Sequence, residues 1–299
     1  LHKAIRRQRQ MCIRDSSNPG DKVIIQQPVY DPFAELIKKT GRVMVNNGLI
    51  CNDGLYEMDF PLLEEQAADP DAKIMILCSP HNPVGRVWTK EELARVGLIC
   101  KKNNVLVIAD EIHSDLVYAG YVHTPFALAS DAPHLVCTSL GKTFNVAGLR
   151  LANIFSSSAE LKKQYDQEID AYSYSASNTF GLEMVQAAYS PEGEAWLEEL
   201  LVYLQGNVEV VSEGCQKDNV GFTAPQGTFL CWLDLGSAGL TDEEIIKKII
   251  MGKEVICVPG PWFGKGGEGY LRLNIGCTRK TLVEALDLSL IHISEPTRH

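Results

Sequence analysis

KIMILCSPHNPVGRVWTKEELARVGLICKKNNVLVIADEIH, Lys73 to His113, decides the fold. It opens and closes on unbroken apolar runs, I-M-I-L-C and V-L-V-I-A. A strand with one wet face alternates apolar and polar residues. A continuous run suits a strand buried on both faces, as in a parallel sheet between helices. Between the two runs, Thr89-x-x-Glu92 is a capping box, which starts a helix. Strand, helix, strand in that order is an α/β unit.

Outward from this unit the pattern repeats. Lys22–Gln26, Arg42–Asn46, Leu135–Thr138 and Leu151–Phe155 are further strand candidates beside Lys73–Cys78 and Val105–Ala109. A long helical pattern covers roughly Thr179–Lys217. Beyond it, Gly221–Leu235, Val255–Pro259 and Tyr270–Asn274 read as strands, with a helix over Asp242–Met251 capped by Thr241 and Glu244. The expectation is a large α/β domain over 17–182, with a mostly parallel sheet flanked by helices. A connecting helix and a smaller C-terminal α+β domain would follow over 183–287.

The 299 residues suffice for one large or two ordinary cores. A formal charge of −10 argues against a nucleic-acid partner. No apolar run reaches membrane-spanning length, and no signal-peptide pattern is present. Nine unpatterned cysteines, with no C-x-x-C and no Cys/His cluster, point to a reducing, cytoplasmic setting and to no metal site.

The two ends stand apart. ATGTGTATAAGAGACAG encodes Met11 to Asp15 and begins Ser16; its reverse complement encodes Leu288 to His292 and begins Ile293. One short DNA sequence, resembling a transposon adapter used in library preparation, thus accounts for both. Residues 1–16 and 288–299 are expected to be translated adapter and are set aside from fold reasoning.

Three polar features follow buried strands, and ligands of open α/β sheets bind beyond strand carboxyl ends. Asn82, in S-P-H-N-P-V-G after Cys78, is held out of helix by Pro83 and either makes a plain turn or projects an amide. Asp110 ends the strand before Glu111-Ile112-His113 and either caps a helix or pairs with a cation. Lys142 lies in S-L-G-K-T-F-N-V-A-G-L-R, Ser139 to Arg150, after another strand. A lysine there is a surface charge or the amine of a Schiff base with an aldehyde cofactor. Ser139 and Arg150 are donor types that hold phosphate. Gly264–Gly269 lacks the strand-to-helix setting of a phosphate cradle.

Asn82-Pro83-x-Gly85, Asp110-Glu111-Ile112-His113 and Ser139-x-x-Lys142-Thr143-Phe144-Asn145 together resemble the fold-type-I pyridoxal-phosphate enzymes of the aminotransferase superfamily. D-E-I-H-S-D-L, K-T-F-N-x-A-G-L and R-L-N-I-G-C at Arg272–Cys277 resemble its cystathionine β-lyase (MalY/PatB) branch. The resemblance implies pyridoxal 5'-phosphate as cofactor. Lys142 would carry it, and Asp110 would pair with its ring nitrogen. Asn82 and His113 would contact its phenolic oxygen, although many relatives have tyrosine where His113 stands. Ser139 and Arg150 would hold the phosphate, and Tyr30 would stack on the ring. Arg272 would grip the carboxylate of an amino-acid substrate. Gly141 departs from the serine common before the lysine.

The same resemblance implies carbon–sulfur β-elimination from cystathionine or cysteine conjugates. Transamination uses the same residues and stays open, as does a cofactor-binding regulatory role. It further implies a homodimer with its active site between subunits. Relatives carry an N-terminal arm and a phosphate-binding turn before the position of Ser17, so weak cofactor binding and aggregation are expected of the chain as given.

Overall fold

The structure, a computed structural model, describes residues 10–171, 178–247 and 257–294. The strands are β1 (Lys22–Ile25), β2 (Val43–Asn46), β3 (Ile50–Asn52), β4 (Leu55–Glu57), β5 (Ala72–Cys78), β6 (Leu106–Asp110), β7 (His134–Thr138) and β8 (Asn153–Ser156), then β9 (Gly221–Phe222), β10 (Leu230–Asp234), β11 (Cys257–Pro259) and β12 (Tyr270–Asn274). The principal sheet runs β2-β1-β5-β6-β7-β8. Its neighbours pair in parallel except β7 with β8.

Helices cover both faces. In chain order they include α1 (Pro32–Lys39), α2 (Phe60–Ala67), α3 (Lys90–Lys102), α4 (Phe126–Ala129), α5 (Leu140–Thr143) and α6 (Ala159–Ala171). Met75, Leu77, Val107 and Ala109 meet Leu63 of α2, Leu93 and Val96 of α3 and Phe126 of α4. Their strand neighbours Ile74, Ile76 and Ile108 point the other way, onto Phe33, Leu36 and Ile37 of α1 and Tyr165 of α6. This two-residue alternation explains why the runs carry no polar residue: each face has its own core. Fully burying such a side chain stabilises by about 1.5–3 kcal/mol. The capping box forms as expected, with Thr89 Oγ1 accepting from Glu92 N–H at 3.2 Å and Glu92 Oε2 from Thr89 N–H at 2.7 Å.

Part of the set-aside N-terminal segment is packed into the fold. Residues 10–15 are helical, and Met11, Cys12 and Ile13 are buried against the α1 face of the sheet. At the other end, helical backbone continues to Ser294.

The single long helix expected over Thr179–Lys217 is two, α7 (Thr179–Ala188) and α8 (Pro191–Lys217). Ser190 Oγ accepts from Gly193 N–H at 3.1 Å, and Pro191 occupies the first turn of α8, where its missing N–H costs nothing. A second, antiparallel sheet runs β11-β12-β10-β9. Its Leu233, Leu271 and Leu273 pack on Leu204, Val208 and Val211 of α8 and on Leu282 of the last helix, residues 279–294. Gly221–Leu235 is two strands rather than one, joined by an irregular segment over 223–229. The helix capped by Thr241 and Glu244 is described over Asp242–Ile245. Its expected continuation past Lys247, and Val255 of the expected strand, lie outside the described residues.

Candidate active site

Cys78, Asp110 and Cys137 are register partners across β5, β6 and β7. Three loops therefore leave the sheet at one height. Ser79 N–H donates to the Asp110 carbonyl at 3.0 Å, and Glu111 N–H to the Cys137 carbonyl at 2.9 Å, which extends the ladder into the loops. Asp110 is buried at this edge, as are Asn82 and His113.

The turn that carries Asn82 is held from beneath. His81 is fully buried; its Nε2–H donates to the Gln26 carbonyl at 3.2 Å, and its ring meets Trp88 edge-on at 5.8 Å. Burial pushes the His81 imidazole down to about 3, so it is neutral at ordinary pH. From the other side, Tyr30 N–H donates to the Asn82 carbonyl at 3.1 Å. This places half-buried Tyr30 beside the Asn82 turn.

Arg272 reaches the same place from the second sheet. Its Nη1 donates to Asn82 Oδ1 at 3.0 Å, and its Cζ lies 4.7 Å over the Phe263 ring. Trp232, its register partner on β10, meets Phe263 edge-on at 5.2 Å. Desolvation lowers the guanidinium to about 10, still far above neutrality, so it remains a cation.

Lys142 sits on α5. Its Nζ is 5.9 Å from the Phe229 ring, and His113 meets the same ring edge-on at 5.9 Å. One aromatic side chain from the loop before β10 thus neighbours both. Thr143 Oγ1 donates to Asp115 Oδ2 at 2.8 Å, tying α5 to the segment after β6. Gly141 is explained by space: a Cβ would lie 3.2 Å from both Ala147 Cα and Ser139 Oγ. A serine here would need its neighbours to move.

Ser139 and Arg150 are brought near one another through the main chain. Ser139 Oγ donates to the Leu151 carbonyl at 2.8 Å and accepts from Gly141 N–H at 3.1 Å. Arg150, at a left-handed φ of 55°, is exposed. Their expected convergence on a phosphate is a proposal. Phe229, Phe263, Trp232 and the Thr143–Asp115 bond are additions that the sequence did not suggest, since aromatics on strands ordinarily read as core.

The donor set fits pyridoxal 5'-phosphate. A buried carboxylate, a lysine, a side-chain amide and a phenol stand at one sheet edge. Ser79 Oγ, beside Asp110, is buried with no hydrogen-bond partner among the described residues, so the edge has polar capacity to spare. A cleft of about 330 Å³ between Tyr30 and Trp262 opens next to Phe263.

The sequence of this chain matches the model of the aminotransferase class I and II family over residues 6–288. The chain belongs to that family. It is 37% identical to cystathionine beta-lyase PatB of Bacillus subtilis (strain 168), covering 92% of this chain and 72% of that protein. It is 33% identical to Protein MalY of Escherichia coli (strain K12), covering 90% and 70%. Among solved structures it resembles cystalysin from Treponema denticola, which contains a pyridoxal 5'-phosphate cofactor, with a TM-score of 0.91, 30% identity and coverage of 96% and 74%. A PLP-bound putative aminotransferase from Clostridium difficile 630 superposes with a TM-score of 0.92 at 36% identity, covering 96% and 75%. Asn82, Asp110 and Lys142 each stand at or just after the end of one of three adjacent parallel strands, and Arg272 reaches Asn82 from the second sheet.

Proposed function

We propose that this aminotransferase-family chain is a pyridoxal-phosphate-dependent carbon–sulfur β-lyase acting on cystathionine or related cysteine conjugates. The Arg272–Asn82 hydrogen bond supports an amino-acid substrate, and the likeness to cystathionine beta-lyase PatB favours the lyase over transamination. The bond joins the guanidinium assigned here to the substrate carboxylate to Asn82, which follows β5 beside the strand end that carries Asp110.

When bound, the cofactor supplies an electron sink for charge developing at the substrate Cα. Arg272 presents its planar fork to the substrate carboxylate, a geometry lysine cannot match. Lys142 Nζ takes the Cα proton as general base. Asp110, buried at the end of β6, would pair with the cofactor's ring nitrogen and favour its protonated form. Asn82 and His113 would contact the cofactor's phenolic oxygen, Tyr30 would stack on its ring, and Ser139 and Arg150 would hold its phosphate. Breakage of the Cβ–S bond releases sulfur with its electron pair, and hydrolysis then yields pyruvate and ammonia beside the thiol. No helix among the described residues is long and apolar enough to cross a membrane, and we place the enzyme in the cytoplasm as a homodimer.

Transamination is the second reading, favoured by the C. difficile neighbour's designation as a putative aminotransferase. The test is reconstitution with pyridoxal phosphate and addition of L-cystathionine. Equimolar pyruvate and thiol, with no keto acid required, support lyase; amino transfer that depends on added keto acid, without pyruvate, overturns it.

A further inference from the structure

We propose that Asp31 is a specificity-determining residue that selects β-thioether amino acids carrying a second, distal ammonium group. The proposal rests on the lyase reading and refines it. The cleft beside the candidate active site is walled by Tyr30, Asp31 and Ala34 on one side and by Trp262 and Phe263 on the other. It adjoins the carboxylate site, because Phe263, which lines it, has its ring 4.7 Å from Arg272 Cζ. In this proposal a substrate held by its carboxylate on Arg272 extends its side chain toward these walls. The walls are fixed to one another, since Val29 N–H donates to the Phe263 carbonyl at 3.0 Å.

The lining chemistry names the occupant. Asp31 is the one charged side chain among the described residues lining the cleft. Trp262, unusually for its size, leaves 64% of its surface in water at the rim. Aromatic rings favour both a thioether sulfur at their edges and a cation over their faces. With a carboxylate added, the cleft suits an ammonium and opposes a second carboxylate standing alone. At about 330 Å³ it is near the small end of ligand pockets, enough for a short side chain.

The experiment compares the full chain with its Asp31→Asn variant, both loaded with pyridoxal phosphate, on S-(2-aminoethyl)-, S-ethyl- and S-carboxymethyl-L-cysteine. The expected wild-type order of kcat/KM is aminoethyl, then ethyl, then carboxymethyl. In the variant, aminoethyl falls about fivefold, as for a partly exposed ion pair, mostly through KM. Ethyl is unchanged and carboxymethyl rises. Quenching of tryptophan fluorescence by the aminoethyl compound in cofactor-free protein weakens by the same factor. Equal changes for all three substrates, or none, overturn the proposal. Absence of pyruvate from S-ethyl-L-cysteine in the wild type instead overturns the lyase reading, while the fluorescence titration still reports on Asp31.

Discussion

Asn82 and Arg272, 190 positions apart in sequence, are joined by a 3.0 Å hydrogen bond between the two sheets. Asn82 stands on the turn after β5 of the parallel sheet, and Arg272 on β12 of the antiparallel one. The bond uses one edge of the guanidinium, and Phe263 supports its face. The side chain is therefore oriented before substrate arrives, which lowers the entropy lost on binding.

Replacing that arginine should lower kcat/KM sharply. Arg272→Ala removes the carboxylate partner, and truncating one member of a buried charge pair costs about 3 kcal/mol, or roughly a hundredfold. Arg272→Lys keeps the charge without the fork and should recover only part of the loss. Steady-state kinetics with L-cystathionine would show this mainly in KM. An Arg272→Ala enzyme with wild-type KM would remove Arg272 from the substrate site.

Lys142→Ala should abolish turnover while leaving the fold intact. Loss of a general base alone costs about a thousandfold, and loss of the cofactor-anchoring amine adds to it. Lys142 is only half-buried, so its removal opens no core cavity. Unchanged urea unfolding with lost pyruvate release is the expected pair of results, and methylamine should restore some activity. Activity retained without added amine would exclude the assigned role.

The sequence made the parallel sheet and the strand-end triad legible because both depend on local rules. I-M-I-L-C and V-L-V-I-A declare burial on two faces by lacking alternation. Asn82, Asp110 and Lys142 lie within a few residues of such runs, so topology alone brings them to one edge. Phe229 and Phe263 were not legible. Each acts by where the second sheet docks, and an aromatic residue on or near a strand carries no mark that separates a ring beside Lys142 from an ordinary core ring. The break between α7 and α8 was marked, by Ser190-Pro191, but the apolar pattern continuing through it concealed the signal.

Gly85→Ala tests the contact between the Asn82 turn and the second unit. Gly85 has a φ of +71°, and an added Cβ would lie 2.4 Å from Pro225 Cβ. Gln226 N–H also donates to the Gly85 carbonyl at 2.9 Å, so neither side yields freely. The left-handed backbone costs alanine about 1–2 kcal/mol, and the clash adds to that. Gly120→Ala is the control: its φ is +92°, with nothing within 4 Å of the new methyl. Urea denaturation should show Gly85→Ala as the more destabilised of the two. Equal losses would mean that backbone strain alone acts and that the Pro225 contact is soft.

His81 should make the protein acid-sensitive in a definite window. Its imidazole is pushed down to about 3 by burial, from an ordinary value of 6.5, with Arg86 adding a smaller effect of the same sign. The unfolded chain takes up a proton as pH falls below about 6.5; the folded protein does not until pH nears 3. Stability contributed by neutral His81 is therefore fully present above pH 6.5 and declines as pH falls toward 3. The slope approaches about 1.4 kcal/mol per pH unit. Between pH 7 and 5 this one group accounts for about 2 kcal/mol. His81→Gln keeps a donor toward the Gln26 carbonyl but cannot titrate. Unfolding free energies measured at pH 7 and pH 5 should thus differ less in His81→Gln than in the wild type. Parallel declines in the two proteins would show that His81 gains its proton within the folded state and would remove it from the acid response.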